Sequence, residues 1–300
     1  MDRRQFLAGS AGCLALASRR VAAQHEQLPA ETFDKACPII DTNVYFFDWP
    51  FRPLKYSDPR RLYEKLKRHQ VEKAWAGSFE AVWYKQLDAA NRRLASDCRK
   101  YDGFFVPFGS VNPVGPDWRE DLRRCQEEYQ MPGIRLFPGY HGYRGDEREV
   151  AALFEEAADR GLLVQIVLKL EDERVHHPAT RIGQPDLSAF ATTLARFPQL
   201  RVQLLQSDAV LRHSALHALL ELPNLVFDIS SLEGQAGLRR LIDGNYGQGH
   251  SRIAVQKLLF GSHVPLFPVE SALLKLFESS LSRDEAVAIM RENALRWSRV

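Results

Sequence analysis

Short apolar runs separated by longer amphipathic stretches recur from residue 38 to the end of the chain. Pro38-Ile39-Ile40 leads straight into the polar Asp41-Thr42-Asn43, and comparable runs occupy 71–78, 104–109, 133–138, 162–168, 200–205, 224–229 and 257–262. Runs of this length, rich in β-branched and aromatic residues, read as buried strands. The stretches between them carry helical spacing. Val150, Leu153, Phe154 and Ala157 share one face of a helix stopped by Gly161. Ser57-Asp58-Pro59-Arg60 is a helix start, a capping side chain before an early proline, for a helix reaching His69. Further helices are predicted over 84–101, 116–130, 187–197, 209–222, 235–242, 269–280 and 282–297.

Strand and helix thus alternate eight times, which is the count and order of a single-domain α/β chain folded as a (β/α)8 TIM barrel. A doubly wound open sheet is the alternative, but it calls for a glycine-rich phosphate turn after the first strand, where this chain has Asp41-Thr42-Asn43. The barrel is therefore assigned to residues 24–300, with 24–36 as a polar leader.

Residues 1–23 read differently. Asp2-Arg3-Arg4-Gln5-Phe6-Leu7, a weakly apolar stretch to Ala17 and the small residues Val21-Ala22-Ala23 resemble a twin-arginine signal peptide, which implies export to the periplasm. The signal also changes the charge picture. The chain carries a formal +2, of which Arg3, Arg4, Arg19, Arg20 and Asp2 supply +3, leaving about −1 on the rest. Nothing then argues for nucleic acid or an anionic membrane as a partner. Cys37, Cys98 and Cys125 follow the signal, an odd number without a CxxC, and read as isolated core cysteines.

In a barrel the residues just past each strand face a common cavity. The candidates are Asn43, Tyr45, Ser78, Glu80, Asn112, Arg135, Tyr140, His141, Lys169, Glu171, Glu173, Gln206, Asp208, Asp228, Ser230, Glu233, Ser262 and His263.

Three stretches resemble the amidohydrolase-related family of metal-dependent TIM-barrel hydrolases and decarboxylases. They are Ile39-Ile40-Asp41-Thr42-Asn43-Val44-Tyr45, Gly133-Ile134-Arg135-Leu136-Phe137-Pro138-Gly139-Tyr140-His141 and Phe260-Gly261-Ser262-His263-Val264-Pro265. The resemblance implies metal-holding histidines at positions 43, 45, 167 and 206 and an aspartate at 263. The chain has Asn43, Tyr45, Val167, Gln206 and His263 there. No metal and no other cofactor is therefore expected. The adjacent pair His176-His177 matches no metal-ligand spacing.

Two functions follow as expectations. One is a metal-independent hydrolase or lyase for a small carboxylated or cyclic substrate, a route that the resemblance permits because pyrone-dicarboxylate lactonases work without metal. His263 would be its general base, Lys169 and Tyr45 would assist, and Arg135, Asn43, Tyr140, His141, Gln206 and Glu171 would bind substrate. The other is a non-catalytic relative that binds a ligand or pairs with an active paralogue; a mouth plugged by Tyr45, Tyr140, Trp83 or Phe137 would favour it. A homo-oligomer is compatible with either.

Overall fold

The computed structural model describes residues 37–178, 180, 182–208, 217–246 and 252–298. The expected export signal, the expected leader up to residue 36 and most of the helix expected over 209–222 lie outside the described residues. Among these, eight parallel strands form one sheet in chain order: β1 (Ile39–Phe46), β2 (Val71–Ser78), β3 (Phe105–Ser110), β4 (Gly133–Leu136), β5 (Leu163–Val167), β6 (Arg201–Leu205), β7 (Leu225–Asp228) and β8 (Leu258–Leu259). The chain after β8 returns to β1. Val44 bridges Val264, and the N–H groups of Thr42 and Tyr45 donate to the carbonyls of Phe260 and Val264 at 2.9 Å each. The chain is a (β/α)8 barrel.

The helices follow from local signals. Asp58 accepts the Arg61 N–H at 2.9 Å and caps α1 (Pro59–Arg68). Its Leu62 and Leu66 form the buried stripe against the barrel. The helix expected over 84–101 starts three residues later as α3 (Leu87–Cys98), and an unexpected short α2 (Glu80–Trp83) precedes it, with Tyr84 in extended dihedrals between the two. After β3 comes α4 (Trp118–Glu127), and β4 runs at once into the short α5 (Pro138–His141), a turn missed in the sequence. The outer layer continues with α6 (Arg148–Asp159), α7 (Leu187–Leu194), α8 (His217–Glu221), α9 (Gly237–Asp243) and α10 (Val269–Phe277), then α11 (Arg283–Val287) and α12 (Asn293–Ser298). Ser282 opens α11 with a reciprocal capping box to Glu285.

Alternate residues of one strand fall in successive interior layers. Leu163 of β5 belongs to the apolar floor with Ile40, Trp75, Phe108, Val226 and Leu259, where Trp75 stacks on Phe108 at 5.2 Å between centroids. Gln165 stands one layer up and Val167 above it, in a second apolar cluster at the mouth.

Candidate active site

The β1 end is fixed from both sides. Asp41 Oδ1 accepts the N–H groups of Asn43 (3.1 Å) and Ser262 (3.0 Å), tying β1 to the segment after β8. Asn43 donates Nδ2 to Asp228 Oδ2 at 2.8 Å, and Asp228 Oδ1 accepts the Gln206 N–H at 2.8 Å. All five residues are buried. Burial raises the Asp228 carboxyl, while hydrogen bonds from Ser230 and Asn43 work against that rise. Burial pushes Asp41 up to about 7.

His263 lies within the barrel, fully buried, rather than on an open rim. Its Nε2 is 2.7 Å from the Leu170 carbonyl, which only accepts, so Nε2 carries the proton. Nδ1 then accepts from Gln206 Nε2 at 2.8 Å. Both ring nitrogens are engaged, and burial pushes the group down to about 3. The ordinary histidine value expected of a general base gives way to a neutral, braced imidazole. Gln206 and His263 both adopt left-handed backbone (φ 54° and 61°), a cost that only surrounding contacts sustain.

Arg135 is buried one layer below the mouth instead of reaching into it. Among the described residues it pairs with no carboxylate. Its Nε donates to Gln165 Oε1 at 2.8 Å and its terminal nitrogens to the carbonyls of Val44 (2.9 Å) and Trp75 (3.3 Å). The guanidinium lies 4.4 Å from the Tyr45 ring centroid. Glycine at 77 makes the room, since a Cβ there would stand 2.5 Å from an Arg135 terminal nitrogen. The hydrogen bonds continue around the layer: Gln165 Nε2 donates to Gln203 Oε1 (2.7 Å), Gln203 Nε2 to Thr42 Oγ1 (2.7 Å) and Thr42 Oγ1 to the Phe260 carbonyl (2.9 Å). Gln165 and Gln203 were missed as site residues. Their signal was a glutamine at the centre of each of two consecutive apolar runs, and Arg135, Gln165 and Gln203 sit opposite one another in the strand register.

Above this layer the mouth is packed. Tyr45 stacks on Phe79 at 4.6 Å with the rings parallel, and Trp49, Phe137, Val167, Leu170, Leu205 and Leu266 complete a buried cluster. Burial pushes the Tyr45 phenol up to about 12. Tyr140 packs against the cluster, accepts the Leu170 N–H at 3.0 Å and meets Trp83 edge-on at 5.6 Å. His141 donates Nε2–H to the Ala81 carbonyl at 3.0 Å, and burial lowers it. Glu171 accepts Trp49 Nε1 (3.0 Å) and Arg52 Nε (2.8 Å), which pins the loops after β1 and β5 together. Lys169 stands apart, exposed to solvent. Of the predicted set, Asn43, Tyr45, Gln206 and His263 come together around Asp228 and Ser230; Arg135 lies beneath them and Lys169 outside. His177 stacks on Phe51 at 5.1 Å.

This donor set does not fit the metal that the resemblance implies. Among the described residues no group of three or more His, Cys, Asp or Glu side chains is placed to hold an ion. Around the axial positions, the buried atoms without a protein partner among the described residues are one oxygen each of Asp41, Asn43, Tyr45 and Gln206. Three of these are neutral, and burial raises the Asp41 carboxyl to about 7, so that it is only partly ionised near pH 7. The Arg135 guanidinium on the Tyr45 ring adds a like charge close by.

Open space lies off the axis. A cavity of about 470 Å³ is walled by Phe47, Phe79, Trp83 and Tyr84. A second, of about 720 Å³, lies on the other side of Trp83 and Tyr84, towards Asn112 and His141.

Comparison with known proteins places the chain. The family model described as Amidohydrolase matches residues 46–299, and the chain belongs to the amidohydrolase family. No curated protein matches the sequence. Among solved structures, 5-carboxyvanillate decarboxylase from Sphingomonas paucimobilis aligns with a TM-score of 0.67 at 14% identity, covering 88% of this chain and 100% of that one. 2,6-Dihydroxybenzoate decarboxylase from Rhizobium gives 0.60 at 15%, over 86% and 98%. A variant of the 5-carboxyvanillate decarboxylase from Novosphingobium aromaticivorans, with bound manganese, gives 0.61 at 15%, over 89% and 98%. At these identities the likeness is one of fold. No helix among the described residues is long and apolar enough to cross a membrane.

Proposed function

We propose that this chain is a binding member of the amidohydrolase family, one that has given up metal-assisted chemistry at its strand ends and recognises a small molecule or a protein partner. One observation carries the reading. Of the positions at which the resemblance expects metal ligands, Asn43 holds Asp228 and Gln206 holds His263, which in turn holds the Leu170 carbonyl, while Tyr45 and Val167 belong to the packed mouth above them. A polar layer so buried supports a structural role.

The competing reading is a hydrolase or lyase acting on a small carboxylated compound, as the names of the neighbouring decarboxylases suggest. It requires His263, Arg135 and Lys169 to meet one substrate. Against it stand a saturated imidazole, a guanidinium committed within the barrel and a lysine in solvent.

One experiment separates the two. The purified protein is titrated with Mn²⁺ and with Zn²⁺, with melting temperature and turnover of 5-carboxyvanillate and 2,6-dihydroxybenzoate as readouts. The expected result is no rise in melting temperature, because no metal-binding energy is coupled to the fold, and no carbon dioxide release. Stoichiometric metal uptake with decarboxylation would overturn the proposal.

Export to the periplasm is likewise proposed, on the arginine pair at residues 3 and 4. Arg3→Lys with Arg4→Lys is expected to hold the precursor in the cytoplasm, and unchanged periplasmic recovery would count against it.

A further inference from the structure

The 470 Å³ cavity beside β1 and α2 has a wall chemistry that the axial layer lacks. Trp83 and Tyr84 are among the few large apolar side chains left open to solvent, at 36% and 52% exposure. Trp83 is nonetheless held in place, with Trp49, Phe51 and Tyr140 at 5.8, 5.2 and 5.6 Å between ring centroids. A ligand meeting that ring therefore pays little to order it. On the opposite wall Phe47 leaves β1 in the left-handed conformation (φ 73°), with its N–H on the Ser57 carbonyl at 3.0 Å.

The charges decide what such a wall accepts. The cavity is lined by the carboxylates of Asp48, Asp58 and Glu80 against the single cation Arg93. Arg93 is already committed: it is ion-paired with Glu80, and its guanidinium lies 4.0 Å from the Phe47 ring centroid. Asp58 accepts only the Arg61 N–H at the start of α1, and Asp48 has no ion-pair partner among the described residues. Among the described residues the two carboxylates have no ion-pair partner. An anion would meet both and find no free positive charge, whereas a cation gains from the carboxylates and from the ring faces. The Arg93–Phe47–Glu80 arrangement is an internal example of the same contact, a cation against a ring with a carboxylate beside it.

We propose that this cavity binds an organic ammonium ion with an aromatic or aliphatic body, the body lying on Trp83 and Tyr84 and the ammonium facing Asp48 and Asp58. The proposal places the binding role off the barrel axis. It also stands independently of what the axial layer does, since it invokes none of the axial residues.

Benzylammonium, benzyl alcohol and benzoate carry one ring with positive, zero and negative charge, and each is titrated against the purified protein by calorimetry and tryptophan fluorescence. Benzylammonium is expected to bind at least about tenfold more tightly than benzoate, equivalent to about 1.4 kcal/mol, with the preference shrinking as salt is raised. Trp83→Ala should weaken benzylammonium about tenfold and Trp83→Phe much less, which separates a lost ring face from a lost fold. Asp48→Asn combined with Asp58→Asn should erase the charge preference, and Asn at 58 keeps the α1 cap. Glu80→Gln, by releasing Arg93, should shift the preference towards benzoate, which a merely structural Glu80 would not do. Benzoate binding as well as benzylammonium, or benzylammonium affinity unchanged in both Trp83→Ala and the double Asn variant, overturns the proposal. Neither result depends on the metal titration above, so the two readings fail separately.

Discussion

The barrel axis and the rim beside Trp83 are built from the same kinds of residue to opposite ends. On the axis, Asn43, Gln206, His263 and Arg135 are fully buried, hydrogen-bonded to one another or to the backbone, and covered by Tyr45 and its aromatic neighbours. On the rim, Trp83, Tyr84, Asp48 and Arg93 keep a face to solvent and border open space. Polar residues at strand ends are thus not evidence of chemistry in themselves. What separates a site from a brace is whether a ligand can reach the donors and acceptors that still have capacity: on the axis the few unpartnered oxygens are buried beneath the packed mouth, whereas the rim groups border open space.

The contrast can be broken most directly at Arg135. Arg135→Ala would strand Gln165 Oε1 and the Val44 and Trp75 carbonyls in the interior and open a void. A loss of about 3–5 kcal/mol in urea unfolding is expected. The half-exposed Arg93, replaced by alanine, should cost less than about 1 kcal/mol. Equal losses would dissolve the distinction between axis and rim.

A second, somewhat smaller effect is set by pH. Asp41 stands at about 7 against an ordinary 3.8, and His263 at about 3 against 6.5. The raised Asp41 value favours folding at low pH and loses that contribution as pH rises through about 7. The depressed His263 value favours folding above its ordinary 6.5 and loses that contribution as pH falls towards about 3. The two slopes oppose each other between roughly pH 4 and 6.5. His263→Gln should leave a protein that gains stability on acidification, and Asp41→Asn one that loses it, each on the order of 1 kcal/mol per pH unit. Parallel stability profiles for the two variants would mean that neither group titrates in its buried setting.

Gly77→Ala tests how tightly the guanidinium is seated. The added methyl must displace a side chain fixed by three partners, and a cost of about 1–3 kcal/mol is expected in the same unfolding measurement. Lys169→Ala closes the series at within about 0.5 kcal/mol, because Lys169 is exposed and makes no hydrogen bond or ion pair among the described residues.

Much of the barrel was legible because its strands are continuous apolar runs. The prediction for β2, residues 71–78, coincides with Val71–Ser78, and the α1 start was read from Asp58 and Pro59. The C-terminal side of β8 was not. A strand over 257–262 was expected, but regular pairing with β7 covers only Leu258 and Leu259, and the left-handed His263 soon follows. Backbone of that kind leaves no trace in hydrophobic period. The turns α2 and α5 were also hidden, since four residues are too few to show helical spacing. The residues that gather at the strand ends could be named from strand order alone. Their state could not, because whether His263 is a base or a brace depends on Gln206 and on the Leu170 carbonyl, remote in sequence.

The run of bonds from Arg135 through Gln165 and Gln203 to Thr42 has a consequence for motion. It links β4, β5, β6 and β1 at one height, so none of these strands can peel from the sheet there without releasing its neighbour's side chain. Backbone amides at that level, those of Arg135, Gln165 and Gln203 above all, should exchange with deuterated solvent only when the whole barrel opens, while those around Leu258 and Leu259 exchange through smaller fluctuations. The girdle would make this half of the wall the slowest part of the molecule to breathe.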